Sequence, residues 1–270
     1  MIRKAAVAGQ FYPDSPEELT AELDRLLAGG GGPGLKQKVL AAVCPHAGYM
    51  YSGHVAGAVY SVMEMPRKVV LLGPNHTGAG PQFSVMAEGQ WEIPNGLLDV
   101  DTVLAGKILE EVPFFTGDIT AHLFEHSLEV QMPFIARIRP GASIVPVTMM
   151  QALIDYLKKA GEGLASAIES AGEDVLMIAS SDMSHYISDE AAREKDAFAI
   201  DRILKLDPQG LFNTVMEKRI SMCGVAAVTV MLFAAKALGA AEAELIKYAT
   251  SGETSGDYSQ VVGYAGIVVK

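Results

Sequence analysis

Three apolar segments of the chain each run into a turn that contains a histidine. The segments are 39–43, 68–72 and 175–179, and the histidines are His46, His76 and His185. In an open α/β sheet, ligands collect beyond the carboxyl ends of the strands, so these side chains are expected to converge. Histidine is the commonest metal ligand and the side chain that titrates nearest neutral pH. The placement predicts a metal or acid–base site at this edge of a sheet.

Cys223 is the fourth candidate because it stands just before an apolar helical pattern over 224–238. A helix N-terminus lowers the pKa of a thiol and favours the thiolate, which is the form that binds metals and attacks electrophiles. An equally weighted alternative is that Cys223 is a small buried apolar residue. Cys44 shares a face of an extended segment with His46, but a core position at the strand end is favoured for it.

Any one of these histidines, taken alone, is more often a surface or capping residue than a ligand, and the repeated context favours function. The sequence contains no phosphate-binding Walker loop, no His-Glu-x-x-His, no Cys-x-x-Cys and no Gly-x-Ser-x-Gly. A nucleophile pair of Cys223 and His185 stays open from the residue types. That pair would leave His46 and His76 unexplained.

Polar and aromatic residues near the histidines complete the candidate site. Asp182 lies three residues before His185 and either orients a ligand or a histidine, or caps the turn. Tyr49, Tyr51 and Tyr186 are predicted to line an aromatic substrate pocket, with simple packing as the alternative.

His126 joins the predicted substrate-binding residues and begins a helical pattern over 125–137. In such a helix Glu125 and Glu129 share one face, and Glu125 complements the helix dipole. The two remaining histidines have no distinguishing context and are predicted to be structural: His54 and His122.

Short strand-like runs alternate with longer helical patterns. The start of the first helix is predicted from Ser15 at the N-cap, Pro16 at the first helical position and Glu18 at the capping-box position. A glycine-rich loop over 29–34 is predicted to end this helix. The predicted strands are 39–43, 68–72, 83–87, 143–148, 175–179, 244–249 and 260–269, and the other predicted helices are 103–111, 125–137, 152–171, 191–205 and 224–238. The alternation predicts an α/β fold with a mostly parallel central sheet flanked by helices. No shift in composition marks a boundary, so 1–270 is expected to be a single domain.

Composition narrows the class of protein. The chain has 270 residues, of which 50% are apolar and 20% are charged, and its formal net charge is −11. That charge argues against a non-specific nucleic-acid binder. Two cysteines cannot build a disulfide scaffold, and neither a signal peptide nor an apolar run of the roughly 20 residues that span a membrane is present. We expect a cytoplasmic protein with no membrane or nucleic-acid partner.

A series of ordered motifs resembles the Memo family, which in prokaryotes is also known as protein B of the AmmeMemoRadiSam system. The motifs lie at 8–13, 45–49, 51–53, 72–76, 125–131, 181–186, 223–224, 248–253 and 262–265. They read AGQFYP, PHAGY, YSG, LGPNH, EHSLEVQ, SDMSHY, CG, YATSGE and VGYA. The resemblance runs nearly end to end, and the fold it implies is similar to that of the class III extradiol ring-cleavage dioxygenases.

The resemblance implies metal ligation by His46, His76 and Cys223, with His185 in the same pocket. In the dioxygenases the third ligand is a glutamate and a histidine acts as acid and base. Here Cys223 matches the glutamate and His185 matches the acid–base residue. A thiolate is a softer donor than a carboxylate, so Fe(II) is the first expectation while Cu and Zn become plausible. The ring-cleavage activity of the dioxygenases therefore cannot simply be transferred to this protein.

Three functions follow from these observations. The leading hypothesis is a metal-dependent, dioxygenase-like redox enzyme that acts on a phenolic or aromatic small molecule, with radical SAM and AMMECR1-like proteins as partners implied by the resemblance. The alternative is a non-enzymatic module that recognises a phosphopeptide or partner protein. It needs arginines near the pocket, where the sequence offers Arg219 and, at the start of a strand, Arg67. A thiol hydrolase using Cys223 and His185 ranks third.

Overall fold

The computed structural model of the protein describes residues 1–30 and 36–270, where a mixed β-sheet lies between two layers of helices. The strands are β1 (Ile2–Arg3), β2 (Ala41–Cys44), β3 (Lys68–Pro74), β4 (Phe83–Val85), β5 (Gln90–Ile93), β6 (Gly96–Val100), β7 (Thr116–Gly117), β8 (Ser143–Met149), β9 (Val175–Ser180), β10 (His185–Ile187), β11 (Ala243–Thr250) and β12 (Val261–Val269). The helices are α1 (Pro16–Ala28), α2 (His54–Val62), α3 (Thr102–Glu111), α4 (Met132–Ile138), α5 (Ile154–Ala171), α6 (Asp189–Leu204), α7 (Pro208–Glu217), α8 (Val225–Ala237) and α9 (Gly252–Ser255).

The centre of the sheet is parallel. Its strands follow the order β6-β8-β3-β9-β2, and every pair in that series is parallel. Antiparallel pairs join β12 to β2, β10 and β11, β5 to β6, and the short β4 to the second half of β8. The predicted fold class, a mostly parallel central sheet flanked by helices, is confirmed.

Both faces of the sheet are buried, which is why the central strands are apolar without alternation. In β3, Val70 and Leu72 pack into the core cluster that holds α3, α5, α7 and α8. Val69 and Leu71 of the same strand face the opposite cluster, which holds α1, α2 and α4. Helix α8 is buried on nearly every side, as its uniformly apolar sequence requires.

The sheet topology decides where the site lies. Strand β9 pairs with β3 on one side and with β2 on the other. In register, Cys44 of β2 is opposite Ser180 of β9, and Leu72 of β3 is opposite Ala179. Since these strands are neighbours, run in one direction and end nearly level, the loops that follow them share one edge of the sheet.

The predicted strands are all present, with small shifts at their ends. The predicted start of the first helix is also confirmed, because the Ser15 side chain accepts a hydrogen bond from the backbone N–H of Glu18. Gly29 caps the end of this helix, whereas the part of the predicted glycine loop over 31–34 lies outside the described residues.

The predicted helix over 125–137 is correct only from Met132 onwards. Only Glu129–Gln131 forms a short 3₁₀ turn, and regular helix begins at Met132. Pro133 explains the late start, because a proline inside a helix lacks the N–H donor and clashes with the carbonyl four residues earlier. Glu125 and Glu129 therefore do not share a helix face, and both carboxylates bond to distant parts of the chain.

Several elements were not predicted. They are α2, α7, the short α9, the hairpin of β5 and β6, and the short strands β1, β7 and β10. Helix α7 carried a readable signal, since Asp207 caps it and Pro208 occupies its first position. The hairpin likewise turns through Pro94 and Asn95, which are typical turn residues.

Candidate metal centre

His46, His76 and Cys223 meet at the edge where β2, β3 and β9 end. Each residue offers one donor atom, a ring nitrogen or the sulfur, and these three atoms all lie within 4.8 Å of one another. The Nε2 atom of His46 is 3.2 Å from the Cys223 sulfur, although the two residues are 177 positions apart in the chain. Two imidazole nitrogens and one sulfur in this arrangement match the donor types preferred by Zn, Cu and Fe.

His46 is buried, and both its backbone and its ring are held. Its backbone N–H donates to Asp182 Oδ1 at 2.8 Å, and its Nδ1 lies 3.0 Å from the Ser180 hydroxyl. Burial, and then the nearby His126, His76 and His185, lower the pKa of His46 well below its usual value of 6.5. The ring is therefore neutral at pH 7, which is the form that binds a metal.

His76 is fixed by Glu125, a carboxylate that is fully buried. Glu125 Oε1 is 2.9 Å from His76 Nδ1, and Oε2 accepts the backbone N–H of His76. Burial opposes ionisation, but hydrogen bonds from His76 and the backbone of Ser127 outweigh it and lower the pKa of Glu125 to about 2. A carboxylate is acceptor-only, so His76 carries its proton on Nδ1 and keeps the lone pair on Nε2 for a metal.

Of the two equally weighted expectations for Cys223, a thiolate or a small buried residue, the structure favours the buried, protonated thiol. Burial raises the pKa of its thiol far above the ordinary value, so the expected lowering by the helix N-terminus is overturned in the metal-free protein. The sulfur accepts the backbone N–H of Asp182 at 3.3 Å. A bound cation would have to displace the thiol proton, which makes metal binding release a proton. Cys44 is fully buried in the core, as expected.

Asp182 and His185 stand beside these donors. Burial raises the pKa of Asp182 to about 6, against the lowering effects of the His46 backbone N–H and of the nearby His185. Nδ1 of His185 lies 2.8 Å from the Met183 carbonyl and 3.0 Å from that of Ser221. Carbonyls only accept, so Nδ1 carries the proton and Nε2 of His185 is left as an acceptor.

The four residues predicted to bind an aromatic substrate do not all lie next to the histidines of the site. The His126 ring stacks on His76 at 4.7 Å and lies edge-on to His46 at 5.5 Å. Tyr186 is 73% exposed, and its ring is 5.8 Å from that of His185.

Tyr49 and Tyr51 occupy different environments. Tyr49 lies in the core, where its ring packs on Tyr12 and Phe134 and its hydroxyl donates to the Val130 carbonyl. Tyr51 is partly exposed at 37%. His126 therefore contacts both His46 and His76, Tyr186 contacts His185, and the hydroxyl of Tyr49 is already engaged in the core.

A family model described as "Memo-like protein" matches residues 3–268, which includes every residue of this site. The chain belongs to the Memo family. The similarity extends over whole chains in named relatives. A MEMO1 family protein of Aquifex aeolicus is 44% identical over 99% of this chain and 98% of its own. MEMO1 family proteins of Desulfurococcus amylolyticus and Methanosarcina mazei are each 43% identical, over 98% and 100% of this chain and 98% and 99% of theirs.

Sequence reasoning missed two residues that hold the imidazole rings of this candidate site. Glu125 was assigned to a helix dipole, whereas it bonds His76. Ser180, the last residue of β9, was not among the candidate residues, although its hydroxyl contacts His46. The one signal for Glu125 was its place next to His126 within a motif. Nothing in the local sequence pointed to Ser180.

A second set of donors, His76, Glu125 and His126, also lies within 4.8 Å. Because Glu125 already accepts the Nδ1 hydrogen bond of His76, this set is best explained as support for the His76 ring rather than as another site.

Across residues 1–30 and 36–270, no helix is both long and apolar enough to cross a membrane.

Proposed function

We propose that this Memo-family protein is a metal-dependent, dioxygenase-like redox enzyme that oxidises a phenolic or aromatic small molecule with dioxygen. Its metal would be held by His46, His76 and Cys223, with Fe(II) as the first expectation and Cu or Zn as alternatives. The observation that carries the proposal is the convergence of two correctly oriented imidazoles on one sulfur. Such a centre would supply Lewis acidity and, for Fe or Cu, redox chemistry.

The surrounding residues have separate roles in this proposal. His185, whose Nε2 is free to accept, takes the proton from the hydroxyl of a phenolic substrate. Asp182 orients the backbone of His46 through its carboxylate. The rings of His126 and Tyr186 flank the site and offer faces on which an aromatic substrate can stack.

The thiol-hydrolase alternative is weaker on this geometry. A nucleophilic cysteine needs a lowered pKa, whereas burial raises that of Cys223. The histidine nitrogen beside its sulfur also belongs to His46 rather than to His185.

The proposed partners, a radical SAM protein and an AMMECR1-like protein, rest on the family resemblance, and no surface of the described chain is assigned to them.

Elemental analysis of protein purified without oxygen or chelator tests the proposal. Wild type is compared with Cys223→Ala and with Cys44→Ala, which removes the other, buried cysteine outside the site. Near-stoichiometric iron or copper in wild type and Cys44→Ala, but not in Cys223→Ala, supports the centre and leads to oxygen-consumption assays with catechols and other phenols. A wild-type protein that takes up no metal on reconstitution would contradict it, and the binding-module alternative would then lead.

A further inference from the structure

A chain of hydrogen bonds runs through the core to His46. The Tyr60 hydroxyl donates to Gln131 Oε1 at 3.1 Å, Gln131 Nε2 lies 3.0 Å from Ser180 Oγ, and Ser180 Oγ lies 3.0 Å from His46 Nδ1. All of these side chains are buried. A buried polar network has to be fully paired, so the direction of each bond in it carries information.

Two backbone carbonyls, which can only accept, fix those directions. Gln131 Nε2 is 2.9 Å from the Pro45 carbonyl, so this end of the amide must be the NH₂ group. Ser180 Oγ is 2.6 Å from the Ser127 carbonyl, so the single hydroxyl proton of Ser180 must point there. Ser180 has no proton left for either of its other partners.

It follows that both Gln131 and His46 donate to Ser180, which uses both lone pairs of the hydroxyl. His46 therefore carries its proton on Nδ1, and its Nε2 lone pair faces the Cys223 sulfur at 3.2 Å. We propose that Ser180, oriented by Gln131 and by the Ser127 carbonyl, is a positioning residue that selects the tautomer of His46 able to bind a metal through Nε2. Only the purpose of this selection rests on the proposed metal centre, because the tautomer exists in the metal-free protein.

The two histidines of the site are thus supported by unequal partners. His76 donates its Nδ1 proton to the ionised Glu125, whereas His46 donates to a neutral hydroxyl. Hydrogen bonds to charged acceptors are stronger and raise the basicity of a histidine ligand more. His76 is therefore the stronger donor, and loss of Ser180 should weaken metal binding less than loss of Glu125.

Nitrogen-15 NMR of the metal-free protein with ring-labelled histidine tests the tautomer directly. Wild type is expected to show His46 with a protonated Nδ1 and an unprotonated Nε2. Ser180→Ala should lose this single form and gain the Nε2–H tautomer, and Ser180→Thr, which restores a hydroxyl, should recover it. Thr229→Val is the control, because it removes a buried hydroxyl that has no partner among the described residues.

Titration with Co²⁺, whose bond to a thiolate absorbs strongly, provides the second readout. Ser180→Ala should bind Co²⁺ about 10-fold more weakly, at the low end of the 10–100-fold range for partners of metal-bound histidines. A wild-type His46 protonated on Nε2 would overturn the inference, and this measurement needs no variant to fold. A Ser180→Ala protein that keeps the wild-type tautomer would also overturn it. Failure of wild type to bind Co²⁺ would instead contradict the proposed metal centre and leave the tautomer result readable.

Discussion

Both oxygens of the Glu125 carboxylate accept hydrogen bonds from His76, one from the ring Nδ1 at 2.9 Å and one from the backbone N–H. Glu125 is fully buried, whereas the His76 side chain is 34% exposed, so the carboxylate end of the pair is the one shielded from water. The pair orients the ring and the loop that carries it at once. The Nδ1–H tautomer of His76 is therefore set by a residue 49 positions away in the sequence.

Glu125→Gln is expected to weaken metal binding by about 10–100-fold, because the amide keeps the shape of the carboxylate but loses its charge. The dissociation constant for Co²⁺ or Fe(II), measured without oxygen, checks this. Glu92→Gln is the matched control, since Glu92 pairs with Lys4 at the surface. Equal affinities for wild type and Glu125→Gln would show that Glu125 does not support His76 as a ligand.

Gly224→Ala should disturb Cys223 by simple crowding. A Cβ at Gly224 would lie 2.4 Å from the Ser180 carbonyl oxygen and 2.5 Å from the Cβ of Ser181, so the chain next to Cys223 has to move away from β9. We expect a loss of about 1–3 kcal/mol in the free energy of unfolding together with weaker metal binding. Chemical denaturation and metal titration measure the two effects.

The control for this substitution is Gly106→Ala in the middle of α3, where nothing lies within 4 Å of the added Cβ. Alanine there should stabilise the helix by about 0.5–1 kcal/mol and leave metal binding unchanged. If Gly224→Ala were as harmless as Gly106→Ala, close packing of the Cys223 segment on β9 would not matter for the site.

The sequence predicted the sheet and one edge of the site because those depend on local patterns. Apolar runs mark the strands β2, β3 and β9, and the rule that ligands gather at their carboxyl ends places His46 and His76 at one edge. Partners distant in the chain were not predictable. No local pattern indicates that Glu125 lies outside a helix and bonds His76. Pro133 sets where the helix begins, and contacts with distant parts of the chain set the position of the Glu125 carboxylate.

The charge of Cys223 could not be predicted for a related reason. Its position before a helix favours a thiolate, but burial depends on every element packed around it and raises its pKa instead. Burial also decided the role of Tyr49, whose sequence context resembles that of Tyr51 although its ring lies in the core. Both differences arise from packing, which is set by the whole fold.

Arg3→Met should destabilise the protein strongly. The guanidinium of Arg3 pairs with Glu129, and both side chains are fully buried. It also donates to the backbone carbonyls of His122 at 3.0 Å and Glu125 at 2.9 Å, which ties the N-terminal segment to the loop that supports His76. Removing one partner of a buried ion pair leaves an uncompensated charge, so we expect a loss of about 3–5 kcal/mol in the free energy of unfolding.

The comparison for Arg3→Met is Lys4→Met, which breaks the exposed pair of Lys4 and Glu92. Exposed pairs contribute at most about 1 kcal/mol, so this variant should unfold close to wild type in urea. Similar small losses for both variants would mean that the Arg3–Glu129 pair is not what fastens the N-terminal segment.

Asp196 should make stability fall as pH rises. Its buried carboxyl accepts the backbone N–H of Ser184 at 3.0 Å and the Tyr248 hydroxyl at 2.7 Å, and it packs against Gly263. Burial raises its pKa above the ordinary 3.8, despite these bonds and the nearby His185, which lower it. Below pH 3.8 the carboxyl is protonated in both the folded and unfolded states, so it has no effect on the pH dependence there.

As pH rises from that value, the unfolded chain releases its proton first, and unfolding becomes more favourable until pH passes the pKa of the folded state. Asp196→Asn removes this titration, so the variant should gain stability relative to wild type over the same window and show a constant difference above it. Urea unfolding from pH 4 upwards measures this difference. Asp201→Asn, a change at a half-exposed carboxylate of the same helix, is the control. A curve for Asp196→Asn parallel to that of wild type would show that Asp196 ionises in the folded protein as easily as in the unfolded chain.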